Sequence, residues 1–121
     1  DFYLQYAHAR ISSILRMTKD EGLNSSLENL ELLITKEEQN LLKKLYEFPD
    51  DVIYSAENFE TNRITSYLEE LAALFHRFYT ECRIIGSEKK LAEARIALCI
   101  AVQTVIKNGL SILGVSAPEK M

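Results

Sequence analysis

Tyr6 and Arg10 stand one helical turn apart, so a helix through both sets a phenol and a guanidinium side by side. That pair suits an unstacked nucleobase, which can stack on the ring and accept hydrogen bonds from the guanidinium. The ordinary alternative is a surface pair packed on a neighbouring helix. His8 lies one residue from an apolar row and reads first as a hydrogen-bonded structural histidine. Its ring can also donate and stack, which makes it a candidate for direct or supporting contact with a base. With 2 histidines in the chain and no carboxylate or thiol at ligand spacing, no metal site is expected. Tyr79 belongs with Phe75 and Phe78 to a stripe that spacing assigns to the core, and its hydroxyl is the one suited to a partly wet edge. Asn108 carries an amide that both donates to and accepts from a base edge, and Gly109 beside it leaves room where a larger side chain would crowd a neighbour. The plainer reading of that dipeptide is a weak point near a helix end, where glycine costs about 1 kcal/mol relative to alanine. Nothing supplies a glycine-rich phosphate loop, a metal-ligand cluster or a nucleophile beside a base, so the residues predict binding rather than catalysis.

The elements that must position these groups are helical. Leu4, Ala7, Ile11, Ile14 and Leu15 fall on one face of a helix over about 2–19, with Asp1 as its cap. Tyr6, Arg10, Ser13 and Met17 form a second, amphiphilic stripe beside that row. Residues 20–34 read as a polar turn around Gly22 and a short apolar approach. Thr35-Lys36-Glu37-Glu38 has the form of a capping box and opens a helix through Leu41, Leu42, Leu45 and Tyr46 that ends before Pro49. Pro49 then starts a short helix with Val52, Ile53, Ala56 and Phe59 on its apolar side. From 61 to 82 the positions Ile64, Leu68, Leu71, Phe75, Phe78 and Cys82 hold helical spacing and predict a central core helix. A last helix over 88–113, capped by Ser87, carries Leu91, Ala94, Leu98, Val102, Val105 and Ile106, and Gly114 ends it in a left-handed conformation. Val115–Met121 is expected to be non-helical. No stretch alternates with period two, so residues 1–121 are expected to form one all-α domain, a bundle of about five helices.

The bulk numbers fit that picture. The chain has 121 residues, 47% hydrophobic and 26% charged, enough for a single core. Its apolar stretches fall short of the roughly 20 residues of a membrane span, no signal-peptide layout is present, and a cytoplasmic protein without a membrane partner is expected. Cys82 and Cys99 sit inside helical patterns and read as buried free thiols. Glu28, Glu31, Glu37, Glu38, Glu69 and Glu70 read as a solvated surface. The net charge of −4 argues against binding nucleic acid through phosphate attraction alone, while leaving recognition by a small local surface.

The string Gln5-Tyr6-Ala7-His8-Ala9-Arg10-Ile11 with Ile14-Leu15-Arg16 resembles the opening helix of the DALR-type anticodon-binding domain of arginyl-tRNA synthetases. Leu41-Leu42-Lys43-Lys44-Leu45 with Phe48-Pro49, then Leu71-Ala72 with Phe75-His76-Arg77-Phe78-Tyr79, are similar to that family's following helices in the same order. Ala94-Arg95-Ile96-Ala97-Leu98, Lys107-Asn108-Gly109-Leu110, Leu113-Gly114-Val115 and Ala117-Pro118-Glu119-Lys120-Met121 resemble its last helix and ending. Lys120 stands where the commoner ending has arginine, which keeps the charge and loses a planar fork.

The resemblance implies a C-terminal domain of a class I aminoacyl-tRNA synthetase that joins arginine to its tRNA. ATP and Mg would then be bound by a catalytic domain carrying HIGH-like and KMSKS-like signatures, neither of which occurs here. The partners implied are arginine tRNA, through its anticodon loop, and that catalytic domain; no cofactor is expected on the chain itself. The resemblance strengthens Tyr6 and Arg10 as anticodon residues and adds Met121, because the family's chain end packs beside the pocket; His8, Tyr79 and Asn108 join them as candidates on their side-chain chemistry. Arg16 and Lys107, with Arg10, are assigned to phosphate. The competing reading is a helical protein–protein docking module, which requires the surface shared by the first and last helices to be acidic and flat.

Overall fold

The structure, a computed structural model, describes residues 2–121; the expected cap Asp1 lies outside them. Five α-helices and one 3-10 turn, with no strand among the described residues, make up the all-α bundle. They are α1 (Phe2–Asp20), the 3-10 turn Leu30–Leu32, α2 (Lys36–Tyr46), α3 (Phe48–Asn58), α4 (Asn62–Glu81) and α5 (Lys89–Ile112). Helix α1 packs chiefly on α5, α2 on α4, and α4 also receives α3. The expected rows form the core: Leu4, Ala7, Ile11 and Ile14 from α1 meet Ile64, Leu68, Leu71, Phe75 and Phe78 from α4 and Leu98, Val102 and Ile106 from α5.

The capping box at the start of α2 forms as its spacing requires. Glu38 N donates to Thr35 Oγ1 at 3.1 Å, and Thr35 N donates to Glu38 Oε1 at 3.0 Å. Glu38 itself is not on the surface, as its place among the dispersed acids suggested: it is 0% exposed. Its other oxygen accepts from Arg95 Nε at 2.7 Å. Arg95 Nη1 donates to Arg83 O at 2.5 Å and to Ser87 Oγ at 3.1 Å. Ser87 therefore belongs to this network, its hydroxyl also donating to Arg83 O, and does not cap α5. The cap is Glu88, whose carboxylate accepts from Leu91 N at 3.3 Å.

Two further departures have simple causes. Helix α3 faces α4 with Val52 and Ser55, leaving Ile53 and Ala56 outside; Phe59 ends the helix in the left-handed region (φ 54°) and stands 95% exposed. Helix α5 has the length and composition to cross a membrane, although its apolar residues are interrupted. Half of its apolar window is buried inside the bundle instead. Its Gly109 lies so close to α4 that a Cβ there would fall 2.6 Å from Leu68 Cδ1 and 3.0 Å from Leu68 Cγ. Gly114, at φ 75°, closes α5 as expected: Val115 N donates to Leu110 O at 2.8 Å and Gly114 N to Ser111 O at 3.0 Å, a Schellman arrangement that turns the chain back. Cys82 and Cys99 are buried and free. Burial raises both thiols, that of Cys99 to about 12.

Removing Glu38 leaves a guanidinium buried without its partner, so Glu38→Ala is expected to cost about 3–5 kcal/mol in urea unfolding. Helix propensity alone would make Gly109→Ala stabilising by about 1 kcal/mol. The Leu68 contact reverses the sign, and a loss of about 1–3 kcal/mol is expected by the same measurement.

Candidate functional site

Burying the Leu4, Ala7, Ile11 and Ile14 row turns the neighbouring stripe of α1 outward. Tyr6 is 60% exposed and Met17 49%, while Arg10 is half-buried. Opposite that stripe the segment after α5 returns to α1. His8 Nδ1 lies 2.8 Å from Pro118 O; a carbonyl only accepts, so Nδ1 carries the hydrogen. Gln5 Nε2 donates to Ser116 O at 3.1 Å and to Ser116 Oγ at 3.2 Å. Helix α1 is in turn held on α5 by Gln103, whose Nε2 donates to Ser12 Oγ at 2.5 Å and to His8 O at 3.2 Å.

The returning segment and α1 enclose an open cavity of about 310 Å³, at the small end of the roughly 300–1,000 Å³ range of small-molecule sites. Tyr6, Ala9, Arg10, Ser13 and Arg16 form the α1 wall, and Glu119, Lys120 and Met121 form the other. Three cations face one carboxylate there, in a chain of net charge −4. The surface between α1 and the returning segment is therefore concave and locally basic.

Arg10 is held from behind. Its Nη1 donates to His76 Nδ1 at 2.7 Å, and its guanidinium carbon sits 5.4 Å from the Tyr79 ring centre. Tyr79 stacks on Phe75 with rings 9° from parallel, and the His76 ring meets Tyr3 edge-on at 6.1 Å. Burial, and then the Arg10 charge, push the His76 pKa below its ordinary value. Arg16 Nη2 donates to Ser13 Oγ at 3.0 Å.

Of the residues singled out from sequence, Tyr6, Arg10, Arg16 and Met121 come together in this cavity. His8 does not line it: it is 4% exposed and its ring donates to Pro118 O, which ties the returning segment to α1. Tyr79 supports Arg10 and borders a separate cavity of about 400 Å³ with Met17 and Arg83. Asn108 is exposed but lines no part of the Tyr6 cavity, and Lys107 borders a neighbouring depression with Ser111, Gly114 and Ser116. The last helix thus contributes no lining residue; the segment after it does. Ala9, Ser13, Glu119 and Lys120 are wall residues that the sequence argument did not assign. For Ser13 a signal existed in its membership of the Tyr6–Arg10 stripe.

A profile of the family described as "DALR anticodon binding domain" matches residues 4–121. The arginine–tRNA ligase of Geobacter metallireducens is 50% identical over 123 residues, covering 99% of this chain and 22% of that protein. The corresponding ligase of Symbiobacterium thermophilum is 48% identical with the same coverage. Among solved structures, the arginyl-tRNA synthetase of Thermus thermophilus superposes with a TM-score of 0.86 at 31% identity, over 98% of this chain and 21% of that one. The chain thus spans about a fifth of the length of these relatives.

The anchoring by His8 has a direct check. His8→Phe keeps an aromatic ring and removes the donor to Pro118, which is expected to weaken attachment of residues 116–121 by about 1 kcal/mol. Amide relaxation measurements should then report faster motion in that segment with α1 unchanged. Unchanged relaxation would show that the segment is held by other contacts.

Proposed function

The chain belongs to the DALR anticodon-binding domain family, and from that premise we propose that it reads the anticodon loop of arginine tRNA for a longer arginyl-tRNA synthetase. In that protein the joining of arginine to tRNA, with ATP and Mg, is the work of a catalytic domain, and the whole acts in the cytoplasm. The observation that carries the reading is the meeting of exposed Tyr6 with Arg10, Arg16 and Lys120 in one concave site. Tyr6 offers a face for an unpaired base, and stacking of this kind is worth about 1–3 kcal/mol. Arg10 supplies N–H donors to the base edge from a fixed position. Met121 adds an apolar wall. Arg16 and Lys120 meet the backbone phosphates, and Lys107 serves a phosphate further along the loop.

The charge balance suits this division. With a net −4 overall, long-range attraction to RNA is weak, and Arg10, Arg16 and Lys120 supply positive charge locally at the cavity. Affinity then rests on stacking and hydrogen bonding more than on counterion release, and a shallow salt dependence follows.

Fluorescence anisotropy with an arginine-tRNA anticodon stem-loop, and with a loop whose central base is changed, tests the proposal. Tighter binding of the first loop is expected, and Tyr6→Ala should weaken it by roughly 5- to 150-fold. Arg16→Ala should weaken both loops alike and lower the salt slope by about one phosphate contact. Equal affinity of the unmodified protein for the two loops would overturn the base-reading role.

A further inference from the structure

Arginine has no lone pair to offer at neutral pH, so the 2.7 Å contact between Arg10 Nη1 and His76 Nδ1 fixes which of the two atoms is the donor. Arg10 donates; His76 Nδ1 accepts. The imidazole is therefore neutral, and its hydrogen sits on Nε2. The ring is itself braced, with Tyr3 of α1 edge-on to it and Phe75 one residue back in α4. Tyr79, one turn away from Phe75, lies under the same guanidinium. Arg10 thus reaches the cavity with its plane already set by two residues of α4, neither of which lines that cavity.

We propose that His76 is the positioning residue of this site: as a neutral acceptor it holds the Arg10 guanidinium in the orientation that discriminates between bases. The proposal rests on the anticodon-reading function argued above. A guanidinium of fixed plane presents its fork to one pattern of acceptors, whereas one free to rotate supplies charge to any RNA. Losing His76 therefore costs selectivity before it costs attraction, because the positive charge stays. Protonation has the same effect as deletion. An imidazolium offers no acceptor and sets a second cation against Arg10, the charged group that faces it from α1; Tyr3, also from α1, is the other titratable group against it. The bond is present in the neutral ring and is lost as pH falls through a titration lying below the ordinary histidine range.

Two measurements test the idea, one without RNA. Nitrogen-15 spectra of the imidazoles should show His76 as the Nε2–H tautomer, and Arg10→Ala should raise its titration toward the ordinary value. An Nδ1–H tautomer, or a titration indifferent to Arg10, would overturn the proposal. The second compares cognate and base-changed stem-loops. His76→Phe, which keeps the ring and removes the acceptor, should lower the cognate-to-changed affinity ratio by about three- to tenfold while affinity for the changed loop stays nearly constant. His76→Asn, with an acceptor near the Nδ1 position, should restore the ratio. In the unmodified protein the ratio should fall as pH is lowered from neutral through the His76 titration that the nitrogen spectra report, and in His76→Asn it should not. A ratio that ignores pH in both proteins, with cognate binding intact, would refute the role of His76 and leave the anticodon reading standing. If the unmodified protein shows no preference between loops at neutral pH, it is that reading which fails, and the nitrogen spectra still decide the tautomer. Should His76→Phe not fold, the pH series on the unmodified protein carries the test alone.

Discussion

The buried pair of Glu38 and Arg95 is the interaction around which the helices are set. A carboxylate at 0% exposure and a guanidinium at 8% are tolerable in a protein interior only if their remaining lone pairs and N–H groups find partners. Here one Glu38 oxygen closes the capping box on Thr35 while the other takes Arg95 Nε. Arg95 Nη1 meets Arg83 O and Ser87 Oγ in the α4–α5 connection, and Thr35 Oγ1 contacts Cys82 Sγ at 3.4 Å at the end of α4. One network thereby joins the start of α2, the end of α4 and the first half of α5. Apolar packing would tolerate small slides among these helices; a charged pair with several directional bonds does not. The register of α5 follows from it, and with the register the position of Gln103, which holds α1 through Ser12 and the His8 carbonyl.

From α1 the constraint passes to the site. The side of α1 that faces the core is saturated with Leu4, Ala7, Ile11 and Ile14, so the adjacent stripe is presented as a rigid surface. Arg10 is fixed from α4, and the opposite wall is fixed by His8 and Gln5. The groups that would meet a base are thus held by residues that would not. For an acidic domain this matters more than for a basic one. With little long-range attraction to draw on, binding must come from contacts whose ordering cost has been met during folding.

The helices were legible because each is written in local terms: an apolar row at helical spacing, a capping box at Thr35–Glu38, Pro49 and Gly114 at the ends of elements. The α1 half of the candidate site was legible for the same reason, since Tyr6, Arg10 and Arg16 share one helix. What spacing could not give were the contacts between distant segments. Glu38 looks like any other glutamate in a charged run until Arg95 is brought to it across 57 positions. His8 reads first as a hydrogen-bonded structural histidine, but nothing local names the Pro118 carbonyl, 110 positions away, as its partner. The pairing of Arg10 with His76 spans 66 positions and has no local signature at all. That Lys120 lines the cavity while Lys107 lies outside it depends on where the segment after Gly114 goes, and a non-helical segment carries no periodicity to say so.

The bond between His8 and Pro118 joins residues 110 positions apart, nearly the whole length of the domain. Closing so long a loop is entropically costly at first contact and gains only about 0.6 kcal/mol per doubling of length, so the bond forms on a bundle already assembled. During synthesis residue 8 emerges many seconds before residue 118, at about 5–20 residues per second. The core helices can therefore collapse while the binding cavity still lacks one wall.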